Sequence, residues 1–305
     1  MAKIKVGVIG VGVMGEHHAR IYSTLKEAKL VGVFDPDMDR AGLIASKYGG
    51  RAFPSLDLLL KEVDAVTLAS PTSLHYEIAL SCLNNHVHLL AEKPLAATSA
   101  QAEEIVSLSS KKKCVLATGM IERFNPAFKK ALSMVKHESI LGMDFKRYSP
   151  FPSRISDASV VLDVMLHDID LSLALSRTEV ASVKASGRKI RTDKLDECSA
   201  TFYFKDGLIA KLEASRVKSE KKRSAIITTE NSIYEVDLLN KLLFKRDFNA
   251  LTEKQSIEIA PENQLTLELK DFLHSIDRGR APKVSGNEAV SSIKLVEEVE
   301  RLSCL

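Results

Sequence analysis

The segment that most restricts the fold lies near the start: Ile4-Lys5-Val6-Gly7-Val8-Ile9 is a run of strand formers, and Gly10-Val11-Gly12-Val13-Met14-Gly15 follows it directly. A strand that ends in a G-x-G-x-x-G turn and continues as a helix begins a βαβ unit, whose next strand lies parallel to the first. Glycine carries no Cβ. Gly10 therefore permits the tight turn, Gly12 a close approach of backbone to ligand, and Gly15 a close helix–strand contact. The helix start offers free N–H groups around Val13 and Met14 and the positive end of its dipole, a site suited to the pyrophosphate of a dinucleotide. A second strand, Lys29–Phe34, runs into Asp35, twenty residues beyond Gly15, where a carboxylate can accept a hydrogen bond from a ribose 2′-hydroxyl. Asp35 would repel a 2′-phosphate, and Asp37 and Asp39 add to that negative field, so the expected cofactor is NAD rather than NADP.

At 305 residues the chain exceeds the size at which one core grows comfortably, and two domains are expected. Up to residue 119 short apolar strands alternate with helical patterns: a helix through Tyr48, a strand over Val63–Ala69, a helix over Ser73–Asn84, strands over Val87–Ala91 and Cys114–Thr118. Thr98-Ser99-Ala100-Gln101 is a capping box that opens a helix running to about Lys111. This is the pattern of a parallel α/β sheet. Beyond it, alternating strand formers recur at Ala181–Ser186, Ser199–Phe204, Leu208–Ser215, Ala225–Thr229 and Ile233–Leu238, with Lys205-Asp206-Gly207 as a hairpin signal. Two helical patterns follow, Leu265–Ile276 and Glu288–Leu302. The expected architecture is an α/β Rossmann domain over 1–119 and an α+β domain over 120–305 with a large, mostly antiparallel, open-faced sheet. Such a sheet leaves one face to be covered, so a homo-oligomer, dimer or tetramer, is expected.

Charge and cysteine usage exclude several classes. Net charge is +3, and the basic runs Lys111-Lys112-Lys113 and Lys218 to Arg223 are too short and scattered for a nucleic-acid surface. Cys82, Cys114, Cys198 and Cys304 show no C-x-x-C spacing, so neither a zinc site nor a disulfide framework is indicated, and a reducing cytoplasm fits. No residues are assigned to a metal. No apolar run reaches membrane-spanning length, and the glycines and Glu16-His17-His18 after the first apolar stretch argue against a signal peptide.

Four further places carry candidate chemistry. Glu92-Lys93-Pro94 follows an apolar strand at the carboxyl edge of the sheet, where open α/β folds place their ligands, and Lys93 there could meet both nicotinamide and substrate. Val160 to Leu175 is apolar on most of its helical circumference, yet Asp163, His167, Asp168 and Asp170 interrupt it, and ionisable groups are costly in such a setting unless paired or functional. Asp163 and His167, four apart, share a face. They read either as a base oriented by a carboxylate or as a buried structural pair. Ser70-Pro71-Thr72-Ser73-Leu74-His75 follows the Val63–Ala69 strand; its polar groups either cap the next helix or contact cofactor, with Ser70, Thr72 and His75 the candidates. Arg123 and Asn125 in Glu122-Arg123-Phe124-Asn125-Pro126, and Arg154 in the turn-like 149–154, are candidate substrate contacts.

Taken in order, the G-x-G-x-x-G, the S-P-T-x-x-H at 70–75, the E-K-P at 92–94 and the D-x-x-x-H at 163–167 resemble the glucose–fructose oxidoreductase/inositol dehydrogenase/MocA family over nearly the whole chain. The resemblance implies a nicotinamide-dependent oxidoreductase of a sugar carbon, with the family's catalytic lysine at Lys93 and its acid–histidine pair at Asp163 and His167. It also implies that Glu92 and Lys93 belong to the cofactor edge. A narrower likeness, carried by Glu122 to Ala127, Val160 to Asp170 and Ala214-Ser215-Arg216, is to the branch of UDP-N-acetylglucosamine 3-dehydrogenases, which supply a 3-keto nucleotide sugar for diamino-sugar lipid A synthesis. Alternatives that share the plan are a dehydrogenase of a free sugar or inositol, a non-catalytic nucleotide-binding regulator and a reductase of a linear tetrapyrrole. Lys93, Asp163 and His167 would have no purpose in the last two.

Overall fold

The computed structural model describes residues 3–151, 158–248 and 254–303. The chain forms two compact units, residues 1–120 with 265–291 and residues 121–264 with 292–305.

In the first unit, strands β1 (Ile4–Ile9), β2 (Ala28–Phe34), β3 (Arg51–Ala52), β4 (Ala65–Leu68), β5 (His88–Glu92) and β6 (Leu116–Gly119) are all parallel, in the order β3-β2-β1-β4-β5-β6. The crossovers are α1 (Val13–Thr24), α2 (Met38–Tyr48), α3 (Leu56–Leu60), α4 (His75–Asn84) and α5 (Ser99–Lys112). All four residues of β4 are buried, the continuous apolar run of a strand covered on both faces. Side chains cap the helices: Asp37 accepts from Arg40 N–H, Ser55 from Leu58 N–H, and Thr98 from Gln101 N–H as its capping box predicts. Strand order reverses between β1 and β4, which opens the ligand crevice of such a sheet at their carboxyl ends.

The second unit begins with α6 (Pro126–Val135), capped by Asn125, and β7 (Ile140–Tyr148). A π-helical turn at Val161–Met165 leads into α7 (Leu166–Leu175). The strands that follow are β8 (Val180–Arg188), β9 (Glu197–Phe204), β10 (Ile209–Ser215), β11 (Lys222–Thr229), β12 (Ser232–Asp237), β13 (Leu242–Asp247) and β14 (Gln255–Ile257). They form one sheet with β7, ordered β14-β13-β12-β11-β7-β10-β9-β8, in which only β7 and β10 pair in parallel. Helix α7 packs on β7 and β10. Phe145, Phe202, Leu212 and Ala214 point into that core, while Lys146, Tyr148, Tyr203, Lys211 and Glu213 alternate to the other face. Gly207 turns the β9–β10 hairpin with a φ of +89°.

The strand pattern misses β7, the central strand, for a physical reason. Its inward positions are Met143, Phe145 and Arg147, so a buried charge stands where the alternation calls for an apolar residue. Sequence reading also omits α6, β13 and β14.

Two last helices, α8 (Gln264–Arg278) and α9 (Gly286–Ser303), complete the chain. Residues 265–291 return to the first unit. Thr118 N–H donates to the Val284 carbonyl at 3.1 Å, Ala117 bridges to Ser285, and a Cβ on Gly286 would lie 2.5 Å from the Leu116 side chain. The linear division into 1–119 and 120–305 thus gives way to an interrupted first unit, because the end of β6 finds its backbone partners in Val284 and Ser285, far along the chain. Among the described residues no helix is long and apolar enough to cross a membrane.

Candidate functional site

The three glycines of the first turn have distinct surroundings. Gly10 adopts a φ of +79°, and a Cβ on it would lie 2.8 Å from the Ser70 nitrogen and 2.9 Å from the Ala69 carbonyl. The turn is pressed against the end of β4. A Cβ on Gly15 would lie 1.8 Å from the Gly10 carbonyl oxygen, so this position also admits only glycine. Around Gly12 nothing comes within 4 Å of the Cβ position. That is the place where a pyrophosphate can approach the main chain, and α1 begins at the next residue with its first-turn N–H groups. These donors and this clearance suit a dinucleotide.

Asp35 is buried at the end of β2, where Oδ2 accepts the Val11 N–H and Oδ1 the Asp37 N–H, both at 2.9 Å. It fastens the glycine loop to the β2–α2 turn as well as standing where a ribose would meet it. Arg40, which sequence reading missed, sits 3.7 Å from Asp35 and 2.8 Å from Asp37. A guanidinium beside the pair moderates the negative field expected of Asp35, Asp37 and Asp39.

At the carboxyl ends of β4 and β5 a second group of predicted residues gathers. Thr72 and Ser73 make no capping hydrogen bond: Thr72–Leu74 form a short 3₁₀ turn and His75 opens α4. The buried His75 ring reaches the Pro94 carbonyl through Nδ1 at 2.8 Å and the Ser70 carbonyl through Nε2 at 2.9 Å. The one N–H of the neutral ring donates to whichever of these carbonyls its tautomer faces, so His75, a candidate cofactor contact, also ties the start of α4 to the β4 loop or to the E-K-P loop. Ser70 and Thr72 remain half-buried. Glu92 ends β5. Its Oε1 lies 3.0 Å from His18 Nε2, and its Oε2 accepts the Lys93 backbone N–H at 3.3 Å. Lys93 itself is half-buried at the edge of the crevice.

In the second unit Asp163 lies in the π turn and His167 at the start of α7, both half-buried. The helix they occupy is anchored at its entrance. The Ser159 hydroxyl oxygen accepts the Val161 and Leu162 N–H groups at 3.1 and 3.2 Å and donates to Glu300. Val160 N–H donates to the Leu195 carbonyl at 2.8 Å, and Arg216 donates to the Ala158 carbonyl at 2.9 Å. Arg216 also holds Asp196 at 2.8 Å, and Asp196 accepts three backbone N–H groups, from Ile190, Arg191 and Thr192. Burial alone would raise the Asp196 carboxyl. The backbone donors and Arg216 reverse that and hold it below the ordinary carboxylate range. The Ala214-Ser215-Arg216 motif therefore works as a clamp on the helix that carries Asp163 and His167.

Of the three substrate-side candidates, the described residues include two. Arg123 is buried and pairs with Asp170 at 3.2 Å. Asn125 is fully buried: its Oδ1 caps α6 through Ala127 N–H, and its Nδ2 donates to Glu122 and to the Leu238 carbonyl. Both candidate substrate contacts thus spend polar groups within their own unit, Arg123 on Asp170 and Asn125 on Ala127, Glu122 and Leu238. Arg154 lies outside the described residues. The charges on the 160–175 helix resolve the same way: Asp168 receives Arg147 through Nε and Nη2 at 2.7 to 3.1 Å, and Arg147 also reaches Glu122 at 2.9 Å. Burial opposes the Arg147 charge, but Asp168 and Glu122 outweigh it and keep the guanidinium protonated. Arg223, 3.4 Å from Glu122, is shifted the other way, by burial first and then by repulsion from Arg147.

Comparison with known proteins bears on the whole chain. The profile of an oxidoreductase family with an NAD-binding Rossmann fold, GFO/IDH/MocA, matches residues 4–120, and that of the GFO/IDH/MocA C-terminal domain matches residues 142–234. The chain belongs to the GFO/IDH/MocA oxidoreductase family. It is 35% identical over 283 residues to a UDP-N-acetylglucosamine 3-dehydrogenase of Acidithiobacillus ferrooxidans, spanning 90% of each chain. The solved structure of that enzyme superposes with a TM-score of 0.93 at 33% identity, covering 99% of this chain and 98% of that one. A myo-inositol 2-dehydrogenase of Thermotoga maritima is 25% identical over 96% of this chain and 94% of its own length. As a GFO/IDH/MocA protein the chain is an NAD-dependent oxidoreductase acting on CH–OH groups, its first unit the NAD-binding domain and its second the mostly antiparallel sheet domain.

Proposed function

We propose that the substrate is a UDP-N-acetylated sugar such as UDP-N-acetylglucosamine and that its 3-hydroxyl is oxidised to a ketone. The observation that supports this over the rest of the family is the 35% identity, across 90% of both chains, to a UDP-N-acetylglucosamine 3-dehydrogenase. NAD, when bound, supplies the acceptor for the hydride leaving carbon 3. The Gly10–Gly15 loop would hold its pyrophosphate and Asp35 its ribose, with Ser70, Thr72 and Glu92-Lys93 along the edge. The hydroxyl proton goes to Lys93 or His167, and Asp163 holds the imidazole in the tautomer that can accept it. For such a base the requirement is reach, about 2.6–3.2 Å from the hydroxyl oxygen, and a pKa near the working pH. The same reading places the protein in the cytoplasm and in a homo-oligomer built on the sheet face that carries Tyr148 and Tyr203, to be checked by light scattering.

The test is to incubate purified protein and NAD with UDP-sugars, free sugars and inositols, following reduced nicotinamide by absorbance and the product by mass. Loss of two hydrogens from UDP-N-acetylglucosamine is the expected result. Turnover of free sugar or inositol alone would move the assignment toward the Thermotoga maritima type of relative, and NAD binding without any turnover would make the protein a regulator.

A further inference from the structure

The interior behind Lys93 holds a cluster that the proposed chemistry does not use. Glu268 reaches from α8 toward the end of β5, and one of its oxygens, His18 Nε2 or Nδ1 and a Glu92 oxygen all lie within 4.8 Å of one another. His18 is fully buried and Glu268 is 3% exposed. Among the described residues no hydrogen-bond donor reaches either oxygen of Glu268. Gly119 makes room for the arrangement, since a Cβ there would stand 3.1 Å from the Glu92 carboxyl carbon. The titratable and charged groups around Glu268 are His18 and Tyr22 from α1, Glu92 from β5 and Asp271 from its own helix. Tyr22 is spent on Thr67 at 2.9 Å, and Asp271 on Arg280 at 2.6 Å and the Lys283 N–H.

We propose that Glu268 is a positioning residue for Lys93, acting through the Glu92 carboxylate and His18 and touching neither cofactor nor substrate. The proposal rests on Lys93 working at the reacting carbon, as argued above. Glu92 is the link, because one of its oxygens meets His18 while the other holds the Lys93 backbone N–H. Two carboxylates this close, with Glu268 buried and Glu92 half-buried, do not both stay ionised readily, and the buried one without a donor keeps the proton. Burial first, then the charges of Glu92 and Asp271, push the Glu268 carboxyl well above the usual carboxylate range. While Glu268 is neutral, His18 and the Lys93 N–H share the Glu92 charge alone. Loss of the Glu268 proton brings a second negative charge against Glu92, draws on His18 and loosens the hold on the Lys93 peptide.

The experiment compares wild type, Glu268→Gln and Glu268→Ala by two readouts: kcat and KM across pH with NAD and UDP-N-acetylglucosamine, and hydrogen exchange of the Lys93 amide in the free protein at one pH. Glu268→Ala is expected to lower kcat about tenfold with little change in the KM for NAD, and to speed Lys93 exchange, as displacement of a reacting group does. Glu268→Gln, a neutral isostere, should restore most of that turnover and remove the alkaline decline in kcat expected of wild type. Superimposable pH profiles for wild type and Glu268→Gln, with equal Lys93 exchange in all three proteins, overturn the proposal. If Glu268→Ala does not fold, the Glu268→Gln profile and exchange decide alone. If wild type turns over no UDP-sugar, the functional reading fails and the exchange comparison still decides this one.

Discussion

The two units prepare for chemistry with different materials. In the first, the groups suited to a dinucleotide are main-chain N–H donors and the clearance above Gly12, set by where glycine stands and how α1 starts. In the second, the helix that carries Asp163 and His167 is held by buried charges: Arg147 with Asp168 and Glu122, Arg123 with Asp170, Arg216 with Asp196. A backbone site tolerates change in side chains but not in glycines. A charge-braced helix has the opposite sensitivity, and this contrast yields ordered expectations.

The largest effect should come from the second unit. Arg147→Met leaves the Asp168 carboxylate buried without its guanidinium and Glu122, among the described residues, with only Asn125 and Arg223, and is expected to cost about 3–5 kcal/mol, read by urea unfolding. Adding Asp168→Leu should recover part of that loss; a single-variant cost below about 1 kcal/mol would mean that the bracing is ornamental. Next, Lys93→Ala and His167→Ala should each lower kcat by ~10²-fold or more, about 3 kcal/mol of barrier. His167→Gln distinguishes the two readings of that helix: full turnover per folded molecule with a lower Tm would make the histidine structural.

Gly12→Ala and Gly15→Ala probe the main-chain side of the contrast. The Gly12 variant should keep its Tm and weaken NAD about tenfold, or ~1.4 kcal/mol, by calorimetric titration. The Gly15 variant should lose Tm, because its Cβ would fall 1.8 Å from a carbonyl oxygen. Equal behaviour of the two would undo the separate roles given to them. The smallest effect expected is on cofactor choice. Asp35→Ala should narrow the preference for NAD over NADP by ~3- to 10-fold, since Arg40 is then free to meet a 2′-phosphate, and Arg40→Ala in that background should take the gain away. An unchanged ratio in Asp35→Ala would remove Asp35 from cofactor selection.

The same contrast decides what could be read from residues in order. Gly10, Gly12, Gly15, Asp35 and the Thr98 capping box act locally, and local spacing discloses them. The strands with regular alternation, β8 to β12, are legible for the same reason. Strand β7 is not, because Arg147 faces inward and its partners Asp168 and Glu122 lie about twenty residues away on either side. For Arg123 and Asn125 the turn sequence suggests polar contacts, but only the fold shows that Asp170 and the Leu238 carbonyl are among their partners. The π turn at Val161–Met165 has no sequence signature at all. It widens the turn that carries Asp163, just before His167, and such turns recur at functional sites.

The return of residues 265–291 to the first unit has a consequence for how the protein is made. A ribosome that has released residues 1–120 has released every strand of the parallel sheet, yet the backbone partner of Thr118 and the side chains of Leu269, Phe272 and Leu273 are still unsynthesised. At about 5–20 residues per second, the nascent first domain waits on the order of ten to thirty seconds for its last helix. Expressed alone, a fragment ending at residue 120 would therefore be an unfinished domain, and one that carries 265–291 on a short linker is the smallest piece with reason to fold and bind NAD.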